Sequence, residues 1–233
     1  MSRLIKICGL RTIDLALAAA TAGADLIGLV FAPSRRRVTV AEAQAIAAAV
    51  RALPPPRPLI VGLFVNETAD VIGQIALAAG LEAIQLSGDE PADFPNPLEL
   101  PLLKAIRMTG DANEAAWLAR IAAAGPVAGL GLPALTALVD AHVAGAYGGT
   151  GQRADWERAA QLARRVPTLL AGGLTPDNVV QAIAAVDPLG VDVSSGVERD
   201  GQKDASLMAT FVRAVRAQGA GNREQGAGSS FGQ

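Results

Sequence analysis

Cysteine and histidine are almost missing from this chain. Cys8 is the sole cysteine and His142 the sole histidine among 233 residues. No intramolecular disulfide framework can form from one thiol. A Cys-rich zinc site and a histidine-rich metal centre are excluded for the same reason. Aromatic residues make up only 3% of the chain, and no basic stripe interleaved with aromatics occurs. That removes the usual footprint of a nucleic-acid binder. The net charge is −2, with both signs spread along the sequence. No apolar run reaches the roughly 18 residues of a membrane span. Arg3, Lys6 and Arg11 ahead of Leu15 to Ala22 imitate a secretory signal. Asp14 interrupts that approach, however, and Ile5 to Cys8 already reads as a strand. The expectation is a cytoplasmic protein that meets neither nucleic acid nor membrane.

What the chain does have is alternation. Short β-rich apolar runs are separated by longer stretches rich in alanine and leucine. Strands are expected near residues 4–8, 25–31, 58–65, 83–86, 102–107, 135–140, 168–170 and 190–193. Helices are expected near 13–22, 40–53, 67–79, 111–123, 155–165, 176–185 and 205–217. Within the second helix, Val40, Ala43, Ala47 and Val50 keep helical spacing, and Pro54, Pro55 and Pro56 stop it. The run 58–65 is nearly all apolar, as a parallel strand buried on both faces should be. Asn66 reads as the N-cap of the next helix. Residues 88–100, rich in proline and acid, leave room for only a short helix, and 126–133 reads mainly as loop. Eight strand–helix pairs in series are most economically a closed parallel (β/α)8 TIM barrel, with an open doubly wound sheet as the alternative. One catalytic domain over residues 1–218 is expected. Residues 219–233, rich in glycine, serine and glutamine, cannot bury enough apolar surface to offset their ordering entropy, so a disordered tail is expected there.

Two glycine-bearing segments follow the last two strands. Ala171-Gly172-Gly173-Leu174 is one, and Asp192-Val193-Ser194-Ser195-Gly196 is the other. In a TIM barrel the loops after strands seven and eight often hold a phosphate through backbone N–H groups. Gly172, Gly173, Ser194, Ser195 and Gly196 are therefore candidate phosphate ligands, although two ordinary turns would read the same way singly.

Active sites in this architecture sit at the C-terminal ends of the strands. Cys8 ends strand one and Asp140 ends strand six. A thiol can act as a base if its pKa is lowered, and a carboxylic acid can donate if its pKa is raised. A nearby phosphate would oppose the thiolate, so some local donor must compensate. The alternatives are a small core hydrophobe for Cys8 and a loop-start carboxylate for Asp140.

Many segments then match one family in order. They run from Lys6-Ile7-Cys8-Gly9-Leu10 and Gly23 to Phe31, through Arg35-Arg36-Arg37-Val38 and Val61 to Asn66, to Gln85-Leu86-Ser87-Gly88-Asp89-Glu90. Leu138-Val139-Asp140, Tyr147-Gly148-Gly149-Thr150-Gly151 and Asp155-Trp156 follow. Leu170 to Leu174, Asn178-Val179, Asp192 to Glu198 and Lys203-Asp204 complete the set. Over about residues 3–216 the chain resembles phosphoribosylanthranilate isomerase, of tryptophan biosynthesis. The resemblance implies an Amadori rearrangement of N-(5-phospho-β-D-ribosyl)anthranilate to 1-(2-carboxyphenylamino)-1-deoxy-D-ribulose 5-phosphate. It makes Asp140 the general acid at the furanose ring oxygen and Cys8 the general base at C2. It assigns the anthranilate carboxylate to Arg37, as the arginine just before Val38, with Arg35 and Arg36 as a solvated loop. Gly149, in the run Gly148 to Gly151 just after Asp140, is expected in a mobile loop over the substrate and phosphate, with plain turn chemistry as the alternative. The resemblance requires no metal and no organic cofactor. The expected partner is a phosphorylated small molecule, and the expected assembly a monomer or homodimer.

One departure stands out. Where the family usually has histidine, this chain has Ser87. His142 reads as a surface residue rather than a replacement, and Trp117 and Trp156 read as packing residues. Two rivals remain at the level of sequence. Another phosphosugar isomerase or synthase, such as the histidine-pathway isomerase, would want an aspartate where Cys8 stands. A non-catalytic phosphosugar-binding barrel would have no use for Cys8 and Asp140.

Overall fold

The apolar runs do become strands, and the strands close on themselves. In chain order they are β1 (Leu4–Cys8), β2 (Leu26–Val30), β3 (Leu59–Phe64), β4 (Ala83–Leu86), β5 (Leu102–Ile106), β6 (Leu135–Asp140), β7 (Thr168–Ala171) and β8 (Gly190–Val193). This is a computed structural model that describes residues 2–96, 98–125, 132–140 and 151–224, with backbone alone at 151–155 and 219–224. Each strand pairs in parallel with the next, and β1 pairs with β8 to complete the barrel. The closing register sets Lys6 opposite Asp192 and Ile7 opposite Val193. A parallel return needs a crossover, and that crossover is nearly always right-handed and usually helical.

The helices are α1 (Ile13–Ala22), α2 (Val40–Arg51), α3 (Ala69–Ala79), α4 (Ala112–Ala123), α5 (Gly151–Ala163), α6 (Val179–Val186) and α7 (Ala205–Glu224). Side-chain oxygens cap their starts. Thr12, Thr68 and Asp111 each accept an N–H from the first turn, and Thr39 forms a reciprocal capping box with Glu42. Such a cap satisfies one of the orphan donors at a helix start. Asn66 is not the cap expected of it. Thr68 takes that place, and Asn66 sits at φ 53° with its side chain turned to the N–H of Asp89. A short polar side chain tolerates that left-handed backbone and ties one loop to the next.

Two other expectations change. Among the described residues no helix joins β4 to β5. Pro91, Pro95 and Pro101 lack backbone donors and hold the connection extended or turned. At the other end, α7 continues to Glu224, beyond the expected stop at Ala217. The segment expected to be a tail therefore begins inside a helix, and residues 225–233 lie outside the described residues.

Side chains alternate across every strand. Ile5, Ile7, Ile27, Leu29, Ile60, Ile84, Val139 and Val191 point outward and form the main core against the helices. Leu26, Val61, Ala83, Leu103, Leu138 and Leu169 point inward and plug the barrel. Trp117 is fully buried and Trp156 packs against the main core, as expected. Among the described residues no helix is long and apolar enough to cross a membrane.

The connection after β4 is held by charge instead of a helix. Glu90 is buried and accepts from the N–H groups of Asn66 and Gly88 at 2.9 and 3.0 Å. Its other oxygen accepts from Lys104 Nζ at 2.6 Å, and Lys104 also donates to the Gly88 carbonyl. The Glu90 carbonyl accepts from Trp117 Nε1 at 2.8 Å, and Lys104 and Arg120 flank that indole. Replacing Glu90 alone strands a buried ammonium and two N–H groups. Urea denaturation should show Glu90→Ala losing about 3–5 kcal/mol. The paired change Glu90→Leu with Lys104→Met should recover part of that loss. A single variant as stable as the parent would contradict the network.

Candidate active site

The same alternation that plugs the barrel below fills its mouth above. On β1, Leu4, Lys6 and Cys8 share the inward face. On β4 they are Ala83 and Gln85, with Ser87 just beyond. On β5 the column is Leu103, Ala105 and then Arg107, and on β6 it is Leu138 and Asp140. On β7 and β8 the inward columns end at Ala171, Gly173, Asp192 and Ser194. The apolar residues lie deep and the polar ones lie at the C-terminal ends. Together they line a cavity of about 610 Å³ that includes Cys8, Arg36, Asp140, Gly172, Gly173, Ser194, Ser195 and Gly196.

Cys8 and Asp140 thus face one cavity from strands separated by β7 and β8. Cys8 is only 5% exposed, whereas Asp140 stands exposed at the rim. Burial raises the Cys8 thiol above its ordinary value, Lys6 offsets only part of that rise, and Asp192 adds to it. Lys6 has no exposed surface and donates to Asp192 Oδ1 at 2.9 Å. Burial opposes its charge, but Asp192 and Cys8 outweigh burial and raise its pKa.

The loop after β7 carries Gly172 and Gly173 at φ 86° and 61°, a left-handed pair that favours glycine. Asn178 clasps this loop, donating to the Gly173 carbonyl at 2.9 Å and accepting from the Thr175 N–H at 2.8 Å. The loop after β8 abuts it. Lys203 Nζ donates to the Ser194 carbonyl at 2.8 Å, and the Ser194 hydroxyl donates to the Cys8 carbonyl at 3.2 Å.

The arginine run is where geometry departs most from expectation. Arg37 is exposed and does not line the cavity, whereas Arg36 does. The Arg37 N–H bonds the Ser34 carbonyl, and Arg37 bridges to Val30 at the edge of β2. The bond from Arg37 to Ser34 closes a tight turn around Arg35 and Arg36, and one step along it carries a side chain from the mouth to solvent. Arg36 is held by Glu198 through Nε at 2.7 Å and Nη2 at 3.0 Å. Lys203 and Arg35 also reach Glu198, at 3.0 and 2.6 Å. Burial alone would raise the Glu198 pKa. Hydrogen bonds from Arg36 and Lys203 outweigh it and hold the carboxyl at about 2.

Ser87 lines the cavity and accepts from Gln85 Nε2 at 2.9 Å. Gln85 Oε1 is buried with no partner among the described residues. Arg107, also at the mouth, pairs with Asp89 at 2.7 Å. Gly149 and His142 lie outside the described residues. Reading the strands at a spacing of two from Cys8, Asp140 and Ser194 would have found Lys6, Leu138 and Asp192 as inward residues. Glu198 and Lys203 are partners across a two-stranded antiparallel hairpin beyond β8, and strands of two residues are too short to leave such a signal.

The chain matches the family model described as N-(5'phosphoribosyl)anthranilate (PRA) isomerase over residues 5–214. It is 52% identical to N-(5'-phosphoribosyl)anthranilate isomerase of Roseiflexus sp. (strain RS-1), across 91% of this chain and 97% of that one. The phosphoribosyl anthranilate isomerase structure from Thermotoga maritima has a TM-score of 0.75 at 32% identity, over 93% of this chain and all of the other. A phosphoribosyl anthranilate isomerase in complex with reduced 1-(o-carboxyphenylamino)-1-deoxyribulose 5-phosphate has a TM-score of 0.72 at 31% identity, over 94% and 100%.

Glu198 generates a pH prediction. Its folded pKa lies below the ordinary value of 4.5, so its contribution is complete above about 4.5 and fades as pH falls toward 2. Thermal melts across that window should fall more steeply for the parent than for Glu198→Gln. Equal slopes would show that Glu198 is not bound in this way.

Proposed function

The chain belongs to the N-(5'-phosphoribosyl)anthranilate isomerase family of tryptophan biosynthesis, and from that premise we propose how its barrel mouth performs the reaction. The substrate is N-(5-phospho-β-D-ribosyl)anthranilate and the reaction an Amadori rearrangement. Asp140, as the general acid, gives a proton to the furanose ring oxygen, and the ring opens to an imine. The Cys8 thiolate then takes the proton from C2 and leaves an enolamine. The enolamine becomes the ketone as C1 gains a proton and the C2 hydroxyl loses one. Two protons leave the sugar and two arrive, so acid and base return to their starting states.

The observation that carries this reading is that Cys8 and Asp140 line the same cavity from separate strands. An acid and a base must flank the sugar without neutralising each other, and intervening strands keep them apart. The loops after β7 and β8 are the phosphate site, with Gly172, Gly173, Ser194, Ser195 and Gly196 giving mostly backbone N–H groups. Their close fit supports the assignment: a Cβ on Gly196 would stand 1.7 Å from the Leu174 carbonyl oxygen.

Arg36, not Arg37, takes the anthranilate carboxylate. Its guanidinium lines the cavity, and a planar fork suits a planar carboxylate. Gln85 Oε1, which has no partner among the described residues, is a candidate acceptor for a sugar hydroxyl or the anilino N–H. The same reading has Gly149 in a loop over the substrate, and the enzyme working in the cytoplasm as a monomer or homodimer.

Steady-state kinetics test the roles. Cys8→Ala and Asp140→Asn should each lower kcat by about 10²–10⁴-fold while leaving phosphate binding intact. Near-normal turnover in a folded Cys8→Ala would remove the thiol from the mechanism. Arg36→Ala should weaken substrate binding by about 1.5–3 kcal/mol, and Arg37→Ala should do little. The reverse ranking would return the carboxylate site to Arg37.

A further inference from the structure

We propose that Lys6 is a positioning residue for the base: its buried ammonium favours the thiolate form of Cys8 against the burial that opposes it, and Asp192 tempers that effect. The proposal rests on the reading of Cys8 as the base and adds a residue to it. Lys6 and Cys8 are two apart on β1, so both point into the barrel. Across from them, β2 presents Gly28, the register partner of Cys8. A Cβ on Gly28 would stand 2.8 Å from Cys8 Sγ and 3.2 Å from Lys6 Nζ. The thiol and the ammonium therefore share the hollow that the missing side chain leaves. An ammonium has three donors, and Asp192 Oδ1 at 2.9 Å occupies one direction.

A bare strand clamp would explain Lys6 and Asp192 alone, since they are register partners at the barrel's closure. It would not explain why the pair sits directly beneath the thiol or why β2 lacks a side chain there. Other charged groups also face Cys8. Asp192 comes from β8, Lys203 from beyond it, Arg36 from the loop after β2, and Asp140 from across the mouth. Lys203 and Arg36 are both committed to Glu198. That leaves Lys6, which shares the Gly28 hollow with the sulfur, as the cation beside Cys8 that Glu198 does not hold. It is the donor a thiolate needs in a mouth built to receive a phosphate.

Cys8 is the only cysteine, so alkylation by iodoacetamide reports on it alone. The thiolate is the reactive form, and the pH dependence of the alkylation rate gives its titration midpoint. In Lys6→Met the midpoint should rise by about one pH unit or more, slowing alkylation about tenfold at any pH below both midpoints. In Asp192→Asn, which keeps the ammonium and removes the opposing carboxylate, it should fall. The acid limb of kcat/KM should move with both. An unchanged midpoint in Lys6→Met, or shifts of one sign in both variants, would overturn the proposal. Should Lys6→Met fail to fold, Asp192→Asn decides by its sign. A midpoint that moves while the kcat/KM limb stays fixed would support the contact of Lys6 with Cys8 and overturn Cys8 as the base.

Discussion

Alternation along eight short parallel strands is the constraint on which the rest of this structure depends. A closed barrel has one inside, and each strand sends every second residue into it. The lower positions are filled by Leu26, Val61, Leu103 and Leu169, which exclude water. The upper positions cannot all be filled by large apolar groups, because the barrel opens there. Polar groups at the C-terminal ends of the strands are thereby brought within reach of one another from distant points in the sequence. Lys6 meets Asp192 across 186 positions, and they are bonded because β1 and β8 must pair for the barrel to close. Site and fold therefore share their register, and a slip by one residue in β1 would turn Cys8 and Lys6 outward together.

Buried charge is handled in two different ways. The Glu90–Lys104 pair lies outside the barrel wall, under α4, and both of its partners are nearly sealed from water. Glu90 accepts from backbone donors of two loops as well, which offsets its desolvation and fixes a connection that has no helix. It is a structural knot with no route to the mouth. The Lys6–Asp192 pair lies inside the wall and has a third member, Cys8. A buried pair is weak evidence of stability in itself. The Lys6–Asp192 pair differs from the Glu90 pair in adjoining a titratable thiol.

Much of this was legible in the sequence, and the losses have physical causes. The strands from β1 to β8 were found within a residue or two, because apolar runs bounded by glycine and proline announce buried parallel strands. Cys8 and Asp140 followed, as ionisable residues at the ends of such runs. Asn66 failed as a cap because its side chain serves a loop neighbour, and Thr68, two residues on, had equal capping chemistry. Arg37 was chosen over Arg36 by its adjacency to Val38. Adjacency says nothing of which side of a chain a residue faces, and one step reverses it. Glu198 and Lys203 were seen only as matches to a family, because the two-residue strands that pair them are too short to leave a periodic trace. The end of α7 was misjudged because glycine and glutamine argue against a helix only on average.

Charge at the mouth runs against charge on the whole chain. The molecule carries a net −2, yet Arg35, Arg36 and Lys203 share the single carboxylate of Glu198. Lys6 and Asp192 cancel beside them. The wall formed by β1, β8 and the loop after β2 is therefore positive even after its ion pairs are counted. Such a wall attracts anionic groups to the cavity it borders. It also lies beside Cys8, where positive charge favours a thiolate over a thiol. Glu198 keeps this wall from being only a repulsive cluster of cations. Held ionised to about pH 2, it fixes the Arg36 fork and the Lys203 ammonium in place without cancelling them. Removing its charge would leave three cations free to take other positions. The attraction for an anion would then grow, while the geometry that makes the attraction selective would loosen.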